Sequence, residues 1–253
     1  MSYERDSFEH CGLTVRIIQD EDAQNPEEGD TPVYLAHFHR SFEFCGDDLP
    51  FSSFDQANSF FFGEGYEEER KEWAIFMLDS YIHSGVHLTL TGSLEAARLP
   101  DRGWDVSQCG AILVKKDGAW GISEGKEEPD YEKVARVHVE VWNQYLSGDV
   151  WGYIVEDSDG NELESCWGFY GHEYCTEEAK SVAAWYKGKT RPVTLALLGD
   201  GTWENKVVQV PQAVGDNKAA DWYLNECSEA PSGLQGAFLL SAMSLPKADG
   251  GEE

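Results

Sequence analysis

Residues 130–186 read DYEKVARVHVEVWNQYLSGDVWGYIVEDSDGNELESCWGFYGHEYCTEEAKSVAAWY, and the changes of period inside this stretch decide the fold class. Val134, Val137, Val141, Trp142 and Tyr145 recur at spacings of three and four. That spacing predicts an amphipathic helix from Asp130 to Leu146, ended at Gly148. The segments Trp151–Glu156 and Leu163–Trp167 flank Asp157-Ser158-Asp159-Gly160-Asn161, a hairpin signal because Asp-Gly tolerates the positive φ of a tight turn. A second helix is expected over Thr176–Tyr186, with Thr176 as its cap and Glu177 and Glu178 favourable in its first turn. Helix, hairpin and helix in succession point to an α+β fold.

Toward the amino terminus, Gly12–Gln19 and Val33–His39 are rich in β-branched and apolar residues and read as strands, an opening antiparallel pair around the acidic loop EDAQNPEEGDTP. A short helix is expected within Phe51–Phe62, capped by Ser52 or Ser53. A longer helix follows over Gly65–Ser84, with Trp73, Phe76, Met77 and Ile82 as apolar positions. His87–Thr91 and Ala111–Lys115 read as strands. Toward the carboxyl terminus, Lys187–Pro192 reads as a linker. Strands at Val193–Leu198 and Lys206–Val210, a helix at Asn217–Asn225 and a strand at Ala237–Ala242 then form a ββαβ unit. The expected architecture is antiparallel sheets with several helices plus this C-terminal ββαβ unit: an acidic main domain over 1–188, a small domain over 189–246 and a disordered tail over 247–253.

At 253 residues with 41% hydrophobic and 13% aromatic content, the chain can bury a core, and it is far from the aromatic-poor composition of disordered acidic chains. No run of eighteen apolar residues occurs and the first residues, MSYERD, lack a signal-peptide pattern. The expectation is a cytoplasmic protein with no membrane contact, whose six widely spaced cysteines are reduced. Forty-seven acids against nineteen bases give a net charge of −28. Residues 1–100 hold twenty of those acids and six of the bases, which makes the first part the most acidic. Such a field repels nucleic acid and attracts basic surfaces, so direct nucleic-acid binding is not expected.

No catalytic constellation passes its structural test. Gly121-Ile122-Ser123-Glu124-Gly125 matches a nucleophile-elbow pattern, but a charged loop follows where a helix is required. His37 and His39 alternate on one strand and, with Glu43, could hold a metal, although no third ligand spacing supports it and no cofactor or metal is expected. His83 and His87 are separated by Ser84-Gly85 and need not share a face. In Asp157–Glu164 the glycine comes too early for a calcium loop. The aromatics Trp167, Phe169, Tyr170 and Tyr174 could form a partner-binding patch, against the plainer reading that they fill the core where a strand turns into a helix.

The run Tyr145-Leu146-Ser147-Gly148-Asp149-Val150-Trp151-Gly152-Tyr153, then Glu156-Asp157, then Ser165-Cys166-Trp167-Gly168-Phe169-Tyr170-Gly171, resembles a family of largely uncharacterised acidic proteins encoded by bacteriophages and plasmids. Gly12-Leu13, Asp20-Glu21-Asp22, Asn25-Pro26, His39-Arg40, Tyr81, His83-Ser84-Gly85 and Trp104-Asp105 fit the same pattern, over roughly residues 10–186. The resemblance implies an accessory role in a mobile element, of the antirestriction or anti-CRISPR kind, in the cytoplasm of a bacterial host. The expected partner is a host nucleic-acid-binding defence protein with a basic groove. The expected contact surface comprises Asp20, Glu21, Asp22, Glu27, Glu28, Asp30, Asp47, Asp48, Glu67, Glu68, Glu69 and Glu72. The competing readings are a metal- or small-ligand-binding enzyme built on His37, His39 and the Trp167–Tyr174 region, and a regulatory interaction protein whose acids only keep it soluble.

Overall fold

The computed structural model describes residues 4–28, 31–99, 105–116 and 129–242. Among them are twelve antiparallel strands in three sheets and six α-helices, an α+β fold. The chain divides into two compact units. One joins Met1–Glu21 to Val150–Glu253, and the other is Asp22–Asp149. No helix of the described residues is long and apolar enough to cross a membrane.

The discontinuous unit holds a four-stranded sheet in the order β1-β2-β8-β9, from Glu4–His10, Leu13–Gln19, Val150–Glu156 and Glu162–Tyr170. The β1–β2 turn is Cys11-Gly12, both with positive φ, as a tight hairpin demands. Leu13–Gln19 therefore pairs with β1 and β8, and the expected partnership with Val33–His39 does not form. Leu13, Val15, Ile17, Trp151, Tyr153 and Val155 line one face. The helix α5, His172–Tyr186, covers that face with Cys175, Ala179, Ala183 and Tyr186. It starts four residues before the expected Thr176. Gly171, at φ 92°, is the N-cap, and the Thr176 hydroxyl donates to the His172 carbonyl inside the first turns.

The ββαβ elements lie in this same unit. They are β10 (Thr190–Gly199), β11 (Thr202–Pro211), a 3₁₀ turn at Asp216–Lys218, α6 (Ala219–Asn225) and β12 (Leu234–Ala242), with β10 central. Lys187–Pro192 is no free linker. Arg191 is buried and held by Asp216 and the Val214 carbonyl, because β10 begins at Thr190. The hairpin loop also docks here, Asp159 accepting from Asn217 N–H and Ser158 from Gly215 N–H. Residues 189–246, expected as a separate domain, thus belong to the unit built around β2 and β8. The 247–253 tail and the Gly121–Gly125 motif lie outside the described residues.

The continuous unit holds a five-stranded sheet, β4-β3-β7-β5-β6, from Phe42–Cys45, Val33–His39, Val106–Lys115, Trp73–Ile82 and Val86–Leu90. One face buries Leu35, Leu78, Leu88, Ile112 and Val114 under α4 (Tyr131–Ser147), which presents Ala135, Val139 and Trp142. Asp130 caps α4 through Lys133 N–H, and Gly148 at φ 73° ends it. The other face buries Tyr34, Ala36, Trp73 and Leu113 under α1 (Phe54–Phe62), which is capped by Ser53. The expected helix over Gly65–Ser84 is absent. Only a five-residue helix, α2 (Glu67–Lys71), forms there. Trp73–Ile82 is a strand between β7 and β6, whose two buried faces produce a continuous apolar run. Near α3 (Leu94–Ala97), Ser93 supplies the cap.

Candidate functional site

The segment from Arg40, in the β3–β4 turn, to Glu72, just before β5, is one of the strongly acidic stretches of the described structure. It holds Glu43, Asp47, Asp48, Asp55, Glu64, Glu67, Glu68, Glu69 and Glu72, all exposed, against Arg40, Arg70 and Lys71. α1 anchors the segment by burying Ala57 and Phe60 against the sheet. Arg70 ties α2 to the end of α1 by donating to the Phe60 and Gly63 carbonyls. Asp48 accepts from the Tyr34 hydroxyl on the same face, 3.2 Å away. The sequence folds this way because α2 has no buried residue and depends on its neighbours for position. Its first turn concentrates Glu67, Glu68 and Glu69 where the helix dipole favours negative charge. Glu68 pairs with Lys71 and Glu67 with Arg70, while Glu69 and Glu72 are unpaired among the described residues.

The remaining acids expected on this surface do not gather there. Asp20 and Glu21 belong to the other unit from Asp22 and Glu28, and Asp30 lies outside the described residues. Glu27 is a core residue. Its carboxylate is 4% exposed and one oxygen accepts from Leu35 N–H at 2.5 Å and from the Trp142 indole N–H at 3.1 Å, with His138 Nε2 3.4 Å away. The second oxygen is buried beside Gly46, where a Cβ would lie 2.5 Å from it. An acid run in sequence therefore mixes solvated carboxylates with one that joins a loop, a strand and a helix.

The amino-terminal excess of acid also changes meaning once the units are known. Twenty-five acids and ten bases fall in Asp22–Asp149, and twenty-two and nine in the discontinuous unit, giving −15 and −13. Charge is shared almost equally between units. What distinguishes the β4–β5 segment is the run Glu67–Glu72, which places four carboxylates in six residues.

His37 and His39 do not act together. His37 is fully buried, its Nδ1 donating to the Phe42 carbonyl at 2.8 Å. A carbonyl only accepts, so Nε2 presents its lone pair to the Ser80 hydroxyl at 2.7 Å. Cys109 Sγ approaches the same nitrogen at 3.4 Å. A bulge at Leu78/Asp79 in the β5–β7 ladder leaves Cys109 as the extra residue and turns it toward His37. A Cβ on Gly110 would meet the Ala36 carbonyl and the His37 ring, so this glycine makes the room. Burial holds the His37 pKa below its usual 6.5, against the Phe42 bond that raises it. With its one lone pair engaged by Ser80, this imidazole is a neutral packing residue. His39 instead accepts from Ser41 N–H in the β3–β4 turn. Among the described residues no three His, Cys, Asp or Glu side chains are grouped to hold a metal ion. Asp157 spends one oxygen on the N–H groups of Asp159 and Asn161 and both on the Asn161 amide.

The four aromatics split between two faces. β9 carries two residues, Trp167 and Gly168, opposite the single Gly152 of β8. Phe169 consequently packs on the α5 face beside Tyr153 and Tyr174, while the Trp167 ring lies over Gly152, where no Cβ could fit. Trp167 and Tyr174 are about half exposed; Tyr174 adjoins Phe169 on the α5 face, whereas Trp167 stands over Gly152.

Sequence reasoning missed a groove of about 640 Å³ along β6, the last strand of the described sheet, lined by Tyr81, His87, Leu88, Arg136, Glu140 and Asn143. The Asn143 side chain accepts from Leu88 N–H at 2.7 Å and donates to the Leu88 carbonyl at 2.9 Å, occupying the edge as a neighbouring strand would. No signal in the sequence links these residues, fifty-five positions apart. Comparison with known proteins gave no match to any family model, curated protein or solved structure.

Proposed function

We propose that this protein is a phage- or plasmid-encoded inhibitor of a host nucleic-acid-binding defence complex, of the restriction or CRISPR class. It acts stoichiometrically in the bacterial cytoplasm by occupying a basic groove. The observation that carries this reading is the series of exposed carboxylates from Glu43 to Glu72, in the segment whose helix α1 packs on one face of the five-stranded sheet. Duplex DNA offers one charge per roughly 1.7 Å of axis, and a helix rises about 1.5 Å per residue, so four carboxylates between Glu67 and Glu72 match that line density over about 8 Å. Arg70 and Lys71 offset part of it and leave their partners Glu67 and Glu68 poised to exchange intramolecular cations for those of a groove. Such exchange costs little, because exposed pairs of this kind are worth at most about 1 kcal/mol.

The test is displacement of duplex DNA from a purified restriction or CRISPR complex. Wild-type protein should release the DNA, with potency falling steeply as salt rises. Replacing Glu64, Glu67, Glu68, Glu69 and Glu72 by Gln should abolish release, while Gln at Glu173, Glu177 and Glu178 on α5 should leave it intact. Equal potency of the two variants, or release indifferent to salt, would sink the charge-based mechanism.

A further inference from the structure

We infer that the open face of the β11-β10-β12 sheet is a self-association surface, covered by the same face of a second copy of this chain. Along β10, side chains alternate between two faces, and on the outer one the small Ala196 is buried beneath its larger neighbours. Val193, Leu195 and Leu197 point to α6 and are buried with Val208, Val210 and Tyr223. Among the described residues no helix covers the opposite face. Trp203 is 56% exposed, Val207 63% and Phe238 48%, and Leu240, the extra residue at a bulge in β12, is 46% exposed. The register places Trp203 opposite Leu198, Val207 opposite Thr194 and Phe238 opposite Ala196, so these side chains share one surface. The Trp203 and Phe238 rings already touch, with centroids 5.1 Å apart. Half-exposed large apolar residues gathered on one sheet face mark an interaction site more often than chance exposure.

Charge selects the occupant. Alternate positions from 192 to 198 and 203 to 209, with 236, 238 and 241 opposite them on β12, hold no Asp, Glu, Lys or Arg, although 26% of the chain is charged. On the α6 side of the same β11 strand stand Glu204 and Lys206, so the neutrality belongs to the face and not to the segment. Two copies that each carry −28 repel over most of their surfaces. A neutral, apolar face lets them meet without opposing carboxylates, and a two-fold arrangement needs only one self-complementary patch. A basic partner would find nothing to pair with here. Three strands about 4.8 Å apart and 9–10 residues long offer on the order of 400 Å² a side, about 800 Å² in total, which is below the roughly 1,200 Å² of stable specific interfaces and in the range of weak, transient ones. The dimer is therefore weak and concentration-dependent.

Sedimentation equilibrium of the full chain from about 5 to 200 µM reads this directly, since the self-association depends on protomer concentration. The apparent mass should climb from 28.3 kDa toward twice that value. Raising salt should strengthen the dimer, because screening removes the repulsion between copies, whereas the same salt weakens capture of a basic groove. The two readings can thus fail separately. Trp203→Glu with Phe238→Glu should weaken association at least about thirtyfold, the scale of a lost central anchor. Val207→Lys lowers the net charge yet should also weaken it, separating the patch from global repulsion. Circular dichroism checks that each variant is folded. A monomer at every concentration and salt, a dimer indifferent to both variants, or a dimer dissolved by salt would each overturn the inference.

Discussion

Replacing Glu27 by Ala separates a carboxylate that builds the fold from those that face water. In the native chain this group receives the Leu35 N–H and the Trp142 indole N–H inside a site where its own exposure is 4%. Removing it leaves the buried Leu35 donor without an acceptor, at about 1–3 kcal/mol, and deletes a charge-assisted bond worth about 1.5–3 kcal/mol. The Trp142 donor keeps an alternative in His138 Nε2, 3.1 Å away, and adds little. The expected loss is about 3 kcal/mol. With a urea slope of about 1.5 kcal/mol/M, the midpoint of the unit falls by about 2 M. Glu28→Ala, one residue on and exposed, should change stability by less than about 0.5 kcal/mol. Glu27→Gln keeps an acceptor oxygen for the Leu35 and Trp142 donors but loses the charge and puts an amide NH₂ where the second carboxylate oxygen has no partner, so it should recover only part of the loss. Urea titrations followed by circular dichroism give all three values. A Glu27→Ala midpoint within about 0.3 M of wild type would refute the assignment of this residue to the core.

Three further outcomes are expected. The folded pKa of His37 lies below the unfolded 6.5, so the unfolded chain binds more protons between the two values. Stability is then complete above about pH 6.5 and is lost as pH falls below it, and His37→Gln should flatten that part of the acid limb in urea midpoints at about pH 7.5 and 5.5. Burial raises the Cys175 thiol to about 12 and the Cys45 thiol to about 11. Peptide mapping after brief alkylation at about pH 8 should find Cys166, which is exposed, modified first and those two last; early labelling of Cys175 would contradict the burial. Gly152→Ala drives a Cβ into the Trp167 indole, and because that ring is half exposed it should swing into water at a cost of about 1 kcal/mol. A red shift in emission that disappears in Trp167→Phe reports the move.

Local chemistry made the α4 helix, the Asp-Gly hairpin and the ββαβ order legible. In each case period, cap and turn residues agree over a few positions, as Val134 to Tyr145 and Gly148 do. Trp73–Ile82 misled because a strand buried on both faces loses its alternation, and Trp73, Phe76 and Met77 then imitate helical spacing. The pairing of β2 with β8 joins residues more than 130 positions apart, and nothing local encodes it. The same blindness affected the site. Counting acids by position made residues 1–100 look like one acidic part, whereas the fold buries Glu27 and assigns Asp20 and Glu21 to the unit that also contains Val150–Glu253. Around α2, Glu67, Glu68, Glu69 and Glu72 stay close in sequence and all reach solvent.

The unit that β2 and β8 hold together is interrupted by the whole of the other one. Asp20 N–H bonds to the Val150 carbonyl at 2.9 Å, so the chain leaves and re-enters that sheet at adjacent points. On a ribosome, Asp22–Asp149 emerges complete while β1 and β2 still wait for their remaining strands. The amino-terminal hairpin must stay soluble through that interval, and an isolated two-stranded hairpin is marginal in water. Synthesis thus imposes an order, the inserted unit first and its host last. The adjacent exit and entry points also mark where a genetic scissor could act: fusing Glu21 to Val150 through a short turn would yield the host unit alone, freed of its longest chain closure and expected to fold faster for it.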